Sequence, residues 1–391
     1  MLLKAKIIGI GACGNKACIE LMNAYPELAN SIILINSTLK DIPVEYKDKA
    51  FELIGNFKGC GKERDKANEL MMQNLRSGAF DYPFDEDDAM VIIVTSSEGG
   101  TGSGSSTLLA KYISKVYKTH IHFYVFTGFG EDARGLQNTV DLFKEFDESY
   151  TVQAISNSKF LEETNNNKIK AEKLANKKFV EDINILLGGT IHESEQNIDE
   201  SDLLKIANTS GFMVIESVNL DKIKNVNDFN KRVTETFDNS KSLNIEPTCK
   251  RIGTILNISK KEEDFIDYQN TIIKERCGVP YEAFNHIQTI HDNNYMQIIA
   301  SGLKMPIDDI TEVYEEFIKN SDSVDKSKDM FFQTEFNTES GNDFNSLSKN
   351  SAKNIQSAKD DFFKEEKVEP KPSKVIKTLN GEFIVSKDKD F

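Results

Sequence analysis

Apolar positions recur along the chain in two periods, and the two alternate. Short apolar runs at 4–10, 31–35, 89–95, 120–126 and 150–155 read as buried strands; the longest, Met90-Val91-Ile92-Ile93-Val94, has a strand's length. Between them lie stretches with helical spacing. One opens at 17–22; another, at 66–75, sets Ala67, Leu70, Met71 and Leu75 on one face; two more fall at 105–117 and 136–146. Apolar strands alternating with helices predict a parallel, doubly wound α/β sheet. One long helix follows at 168–187, about 30 Å by helical rise and enough to cross a domain. A shorter helix at 202–208 leads into a second α/β block. Its strands are expected at 212–218, 251–258 and 295–302, with helices at 229–237 and 262–277. Pro306 suits the first turn of a last helix reaching about residue 319.

The pattern stops at 321. From there Ser, Asn, Lys and Asp dominate, a composition that predicts a disordered tail. Two apolar islands remain in it: Ile355, Ala358, Phe362 and Phe363 at helix-like spacing, and a hairpin-like Asn380-Gly381 within 378–385. The tail holds 12 basic and 14 acidic residues, so nearly all of the chain's formal charge of −15 lies on the body. So acidic a surface repels phosphate backbones, which excludes strong direct nucleic-acid binding; a role with DNA would need a basic adaptor. No apolar run approaches the ~20 residues of a bilayer span. The first residues lack a signal-peptide shape, and the expected location is cytoplasmic. The cysteines, Cys13, Cys18, Cys60, Cys249 and Cys277, have neither zinc nor redox spacing and read as reduced, structural thiols. No metal site is expected from side chains; His120 and His122 share one face of a strand and read as packed there.

Chemistry concentrates at two strand–helix junctions. Gly9-Ile10-Gly11-Ala12-Cys13-Gly14 fits G-x-G-x-x-G, whose glycines let backbone N–H groups approach a phosphate at a helix N-terminus. A dinucleotide site would also place an acid after the second strand, where Asn36-Ser37 stand instead. A Walker A loop is excluded because Asn15 separates Gly14 from Lys16. The second junction runs from Ser96 to Ser106, with four glycines and many hydroxyls, a nest of donors. Two phosphate loops at adjacent strand ends imply a di- or triphosphate.

Gly99-Gly100-Thr101-Gly102-Ser103-Gly104 resembles the G-G-T-G-[ST]-G signature of the tubulin/FtsZ superfamily, and Cys13-Gly14-Asn15 is similar to tubulin's first loop. The resemblance spans residues 4 to about 319. It implies a doubly wound parallel-sheet nucleotide-binding domain with its long central helix (1–188), a catalytic loop and helix (189–211), a second, smaller α/β domain (212–320) and the tail (321–391). It implies GTP/GDP as ligand, with Mg2+. Gly11, Ala12, Cys13, Gly14 and Asn15 would form the first loop and Asn36 the second. Gly59 and Gly61 would lie near the γ-phosphate, Glu131 and Arg134 at the ribose, and Asn157 and Asn176 at guanine, whose edge suits an amide's donor and acceptor. Three departures stand out: Thr38 replaces the usual Asp, Glu98 replaces the usual first Gly of the signature, and the loop at 127–134 that carries Glu131 and Arg134 is one residue shorter than the usual FtsZ spacing.

Asn197-Ile198-Asp199-Glu200-Ser201-Asp202 fits N-x-D-x-x-D. Asp199 and Asp202, three apart at a helix start, project to one side and could orient a water for attack on a γ-phosphorus. Helix capping is the plain alternative. The resemblance implies that Asn197, Asp199 and Asp202 enter the nucleotide site of the next subunit, so that hydrolysis follows head-to-tail self-assembly into a filament. The tail lacks the apolar, Pro-containing end usual in FtsZ. With the loop departures, it makes the plasmid and phage partition tubulins, TubZ, the nearest resemblance. These imply DNA segregation through a DNA-binding, TubR-like adaptor held by the tail. An FtsZ-like division GTPase and a dinucleotide oxidoreductase are the alternatives.

Overall fold

The computed structural model describes residues 2–55, 59–78, 88–192, 194, 198–258, 271–290, 293–320, 361–362, 373–378 and 381–386. Its centre is a ten-stranded sheet in the order β3-β2-β1-β4-β5-β6-β7-β10-β8-β9. β1 (Ala5–Ile10), β2 (Ile32–Asn36), β3 (Ala50–Glu52), β4 (Met90–Ser96), β5 (Ile121–Thr127) and β6 (Thr151–Ser156) run parallel. β2 and β6 are buried at every position, as strands covered by helices on both faces must be.

Alternate residues of β5 show the two covers. Tyr124 and Phe126 meet Phe179 of α5 (Lys168–Leu186), with ring centroids 4.8 and 5.9 Å apart, while Phe123 meets Phe146 at 4.6 Å, just past α4 (Ala133–Lys144). The first face carries the main core, closed by α1 (Gly11–Ala24), α5 and α6 (Glu200–Ala207). α2 (Arg64–Arg76) and α3 (Gly100–Tyr117) join α4: Arg64 donates to Asn138 O at 3.3 Å, and Thr107 donates to Glu145 at 2.8 Å.

The sheet continues without a break into the second block, because β6 pairs parallel with β7 (Gly211–Asn219). β10 (Tyr295–Leu303) then runs antiparallel between β7 and β8 (Arg251–Asn257), and β9 (Glu282–Gln288) closes that edge parallel to β8. α7 (Val226–Asp238) packs on β7 and on α8 (Thr271–Cys277), and α9 (Ile307–Asn320) packs on α4. Among the described residues no helix is long and apolar enough to cross a membrane.

Several expectations shift. Periodicity places the first and third helices at 17 and 105, but they begin at Gly11 and Gly100, so both glycine loops are first helical turns. β3 and β9 were not expected: β3 is three residues long, and β9, Glu-Ala-Phe-Asn-His-Ile-Gln, mixes polar and apolar positions at a sheet edge. Of the helix expected at 262–277, the part before Thr271 lies outside the described residues, as does most of the tail. The expected hairpin is present as a separate unit, β11 (Ser373–Thr378) against β12 (Gly381–Ser386), with Thr378 opposite Gly381. Gly381 is thus the first residue of the second strand rather than a central turn residue.

Candidate functional site

The strand order reverses direction around β1 and β4, and open parallel sheets bind ligands at the C-terminal ends of strands at such a point. A cleft of about 460 Å³ opens there, within the usual range for small-molecule sites. α1 and α3 both start at it, without acidic residues in their first turns, and helix N-termini present unpaired N–H groups and partial positive charge. Gly11, Ala12 and Cys13 line it from α1, and Gly99, Gly100, Thr101 and Gly102 from α3. Asn36 and Ser37 enter after β2, and the Ser37 and Thr101 hydroxyls lie 3.0 Å apart. Gly59 completes this end.

At the other end stand Asn157, just after β6, and Asn176 of α5. Asn36 Nδ2 and Asn157 Oδ1 are buried without a hydrogen-bond partner among the described residues. Such atoms cost free energy unless something bonds them. Burial and the neighbouring Glu172 push the Cys13 thiol up to about 12, so a neutral thiol faces the cleft.

The remaining expected residues stand outside the lining. Gly14 and Gly104 serve packing: an added Cβ would meet Val94 O at 2.1 Å or Arg64 O at 2.4 Å. Asn15 donates to Ile35 O at 3.1 Å, tying α1 to β2. Ser103 is buried and donates back to Gly99 O. Gly61 lies in the turn beside the lining residue Gly59. Glu131 pairs with Lys168, and Arg134 Nε donates to Lys62 O at 3.4 Å. Sequence reasoning did not single out Lys16, Asp41, Phe129 and Glu172 as lining residues, and noted Thr38 and Glu98 only as departures from the family pattern. Glu172 had a usable signal, since it lies one helical turn before Asn176 on the same face.

Asp199 and Asp202 do not line this cleft. Asp199 caps α6, its Oδ1 accepting Asp202 N–H at 2.8 Å, and Asp202 lies 3.5 Å from Lys205. Their loop is seated against β9: Ile198 N–H donates to His286 Nδ1 at 3.4 Å, and Lys205 lies over the Phe284 ring. Asn197 is outside the described residues.

The mostly parallel sheet covered on both faces, with a long helix behind it and a cleft at two helix N-termini, is an α/β fold like that of solved TubZ and CetZ structures. Phage c-st TubZ of Clostridium botulinum is similar over 82% of this chain and 100% of its own, with TM-score 0.64 and 18% identity. TubZ of Bacillus thuringiensis serovar israelensis, solved as a GTPγS-form protofilament, is similar over 81% of this chain and 92% of its own, with TM-score 0.65 and 14% identity. CetZ1 of Haloferax volcanii, a GDP-bound monomer, matches 81% of this chain and 100% of its own, with TM-score 0.60 and 19% identity. No family model matches the sequence. No curated protein matches it either.

Proposed function

We propose that this chain binds guanine nucleotide in the cleft and hydrolyses GTP as a subunit of a head-to-tail filament. The observation that carries this is the meeting of two helix N-termini in one cleft with unpartnered, buried amide atoms of Asn36 and Asn157. A ligand with an anionic end and a hydrogen-bonding base satisfies both. The similar TubZ protofilament and CetZ1 monomer carry GTPγS and GDP in their own structures. The groups at the phosphate end, Asp41, Thr38, Ser37 and Thr101, are all hard oxygens and fit Mg2+, which would neutralise phosphate charge there.

Hydrolysis needs a positioned water. Asp199 is exposed and does not line the cleft of its own subunit, so in this reading it serves a nucleotide held by a neighbour. There Asp199 and Asp202 orient the water; its oxygen attacks the γ-phosphorus, the bond to the β–γ bridging oxygen breaks, and the proton passes through a carboxylate to solvent. Assembly therefore precedes turnover.

The filament is cytoplasmic and segregates plasmid or phage DNA through a basic, TubR-like DNA-binding adaptor held by residues 321–391. The acidic body itself repels DNA.

Nucleotide titration tests the first step: GTP should bind at least about tenfold more tightly than ATP, the worth of one well-placed hydrogen-bond difference. Equal affinities would remove the guanine assignment. Truncation after Lys319 tests the last step. The shortened chain should still sediment as polymer with GTP but no longer carry adaptor–DNA complex; retained adaptor binding would move docking onto the body.

A further inference from the structure

A nucleotide lying in this cleft has its sugar between the phosphate end at α1 and α3 and the amide end at Asn157 and Asn176. The wall along that stretch includes Gly128 and Phe129, just after β5, and the Glu98 carboxylate stands beside Gly128; the lining's other carboxylates are Asp41 after β2 and Glu172 on α5. Glu98 Oε1 accepts Gly130 N–H at 2.8 Å, and the Glu98 backbone carbonyl accepts from Asn138 Nδ2 at 3.1 Å. Two residues without side chains make room for it. A Cβ on Gly128 would lie 2.1 Å from Glu98 Oε2, and one on Gly135 would lie 3.2 Å from Glu98 Cβ. The backbone thus fixes one carboxylate oxygen to the wall, and no hydrogen bond from the described residues occupies the other. Glu131 and Arg134, which the sequence resemblance assigns to the ribose, are engaged outside the cleft with Lys168 and Lys62.

Resting on the nucleotide reading of the cleft, we infer that Glu98 is the acceptor for the ribose hydroxyls and makes this site select ribonucleotides over deoxyribonucleotides. A vicinal diol presents two O–H donors, and an ionised carboxylate is purely an acceptor, so the pairing is charge-assisted. A sugar without hydroxyls leaves the carboxylate desolvated and unpaired, which is how polar sites reject analogues strongly. Phe129 and the glycine wall offer the sugar no such acceptor side chain.

Calorimetric titration of the full chain with GTP and with 2′,3′-dideoxy-GTP tests this. The wild type should prefer GTP by about tenfold or more. Glu98→Ala should bring the two nucleotides within about threefold of each other, with dideoxy-GTP binding close to the wild-type value. Gly128→Ala should act in the same way, because its Cβ meets the flexible end of Glu98 and displaces the carboxylate. Glu131→Ala should keep the preference. The inference is overturned if Glu98→Ala weakens both nucleotides equally, which is mere wall support, or if the preference survives in Glu98→Ala and is lost in Glu131→Ala. A wild type that binds neither nucleotide overturns the nucleotide reading itself, before any variant is measured.

Discussion

His122 lies in β5, fully buried, and neither ring nitrogen has a hydrogen-bond partner among the described residues. Burial, with His120 beside it, pushes its pKa down from 6.5 to about 3. The unfolded chain takes up a proton near pH 6.5 that the folded chain refuses. The stability that neutral His122 contributes is therefore complete above that pH and lost as pH falls toward 3. Between pH 7 and 5 the loss is about 2 kcal/mol. Urea midpoints should fall across that window, and His122→Phe should reduce the fall, leaving the part due to buried His120, whose pKa is lowered to about 4. Gly14 answers to a different constraint, since the groups near its missing Cβ are the backbone of Val94 and Thr95, which cannot step aside. Gly14→Ala should cost about 2–3 kcal/mol, read by thermal unfolding, because overpacking against backbone forces α1 off β4. The glycine pattern was legible in the sequence, since a strand–helix junction is local. The division between glycines that face the cleft and glycines that admit a neighbouring segment was not, because the neighbour comes from elsewhere in the chain.

At the scale of elements, α5 ties the two blocks together. Lys178 and Asp182 lie on its inner face, 2.5 Å apart. Asp182 also accepts Tyr124 O–H at 2.9 Å and Gln153 Nε2–H at 2.7 Å, from β5 and β6, while Lys178 donates to Ile215 O of β7 at 2.7 Å. Asp182→Ala leaves Lys178 buried without its counter-charge, and a buried pair broken on one side typically costs about 3–5 kcal/mol. Denaturant unfolding should show that loss; Asp182→Asn, whose amide oxygen still accepts from Tyr124, should lose less. The helix itself was expected at 168–187 and observed at Lys168–Leu186. Its apolar residues set the period, but the same period does not reveal that a lysine and an aspartate face inward. β9 escaped notice for a related reason: an edge strand is covered on only some of its positions, so its composition stays mixed.

For the whole molecule, Asp199 and Asp202 do not line the cleft, and the proposed mechanism rests on that separation. Under the proposed assembly-dependent mechanism, specific GTPase activity per subunit should rise with protein concentration and level off once polymer dominates. Asp199→Ala should still sediment with GTP yet turn over at least ~100-fold more slowly, the low end of acid–base contributions. Normal hydrolysis by Asp199→Ala would leave Asp199 with the capping role it has in the free subunit, where it accepts Asp202 N–H. The variant also loses that cap, worth about 1 kcal/mol, so its melting curve should be recorded alongside.

The sequence by itself determined the alternation of strands and helices, the doubly wound class, the two glycine junctions and the long helix. All of these follow from local periodicity and from backbone needs that a few adjacent residues express. Only the tertiary structure decided the rest. It joined the two blocks in one sheet through β6 and β7. It turned Glu131 toward Lys168 and Arg134 toward Lys62, and stood Glu98 in the cleft instead. The physical reason is the same in each case. Where a polar side chain finds its partner depends on segments brought close by folding, 32 residues apart for Glu98 and Gly130, and no local pattern encodes that distance.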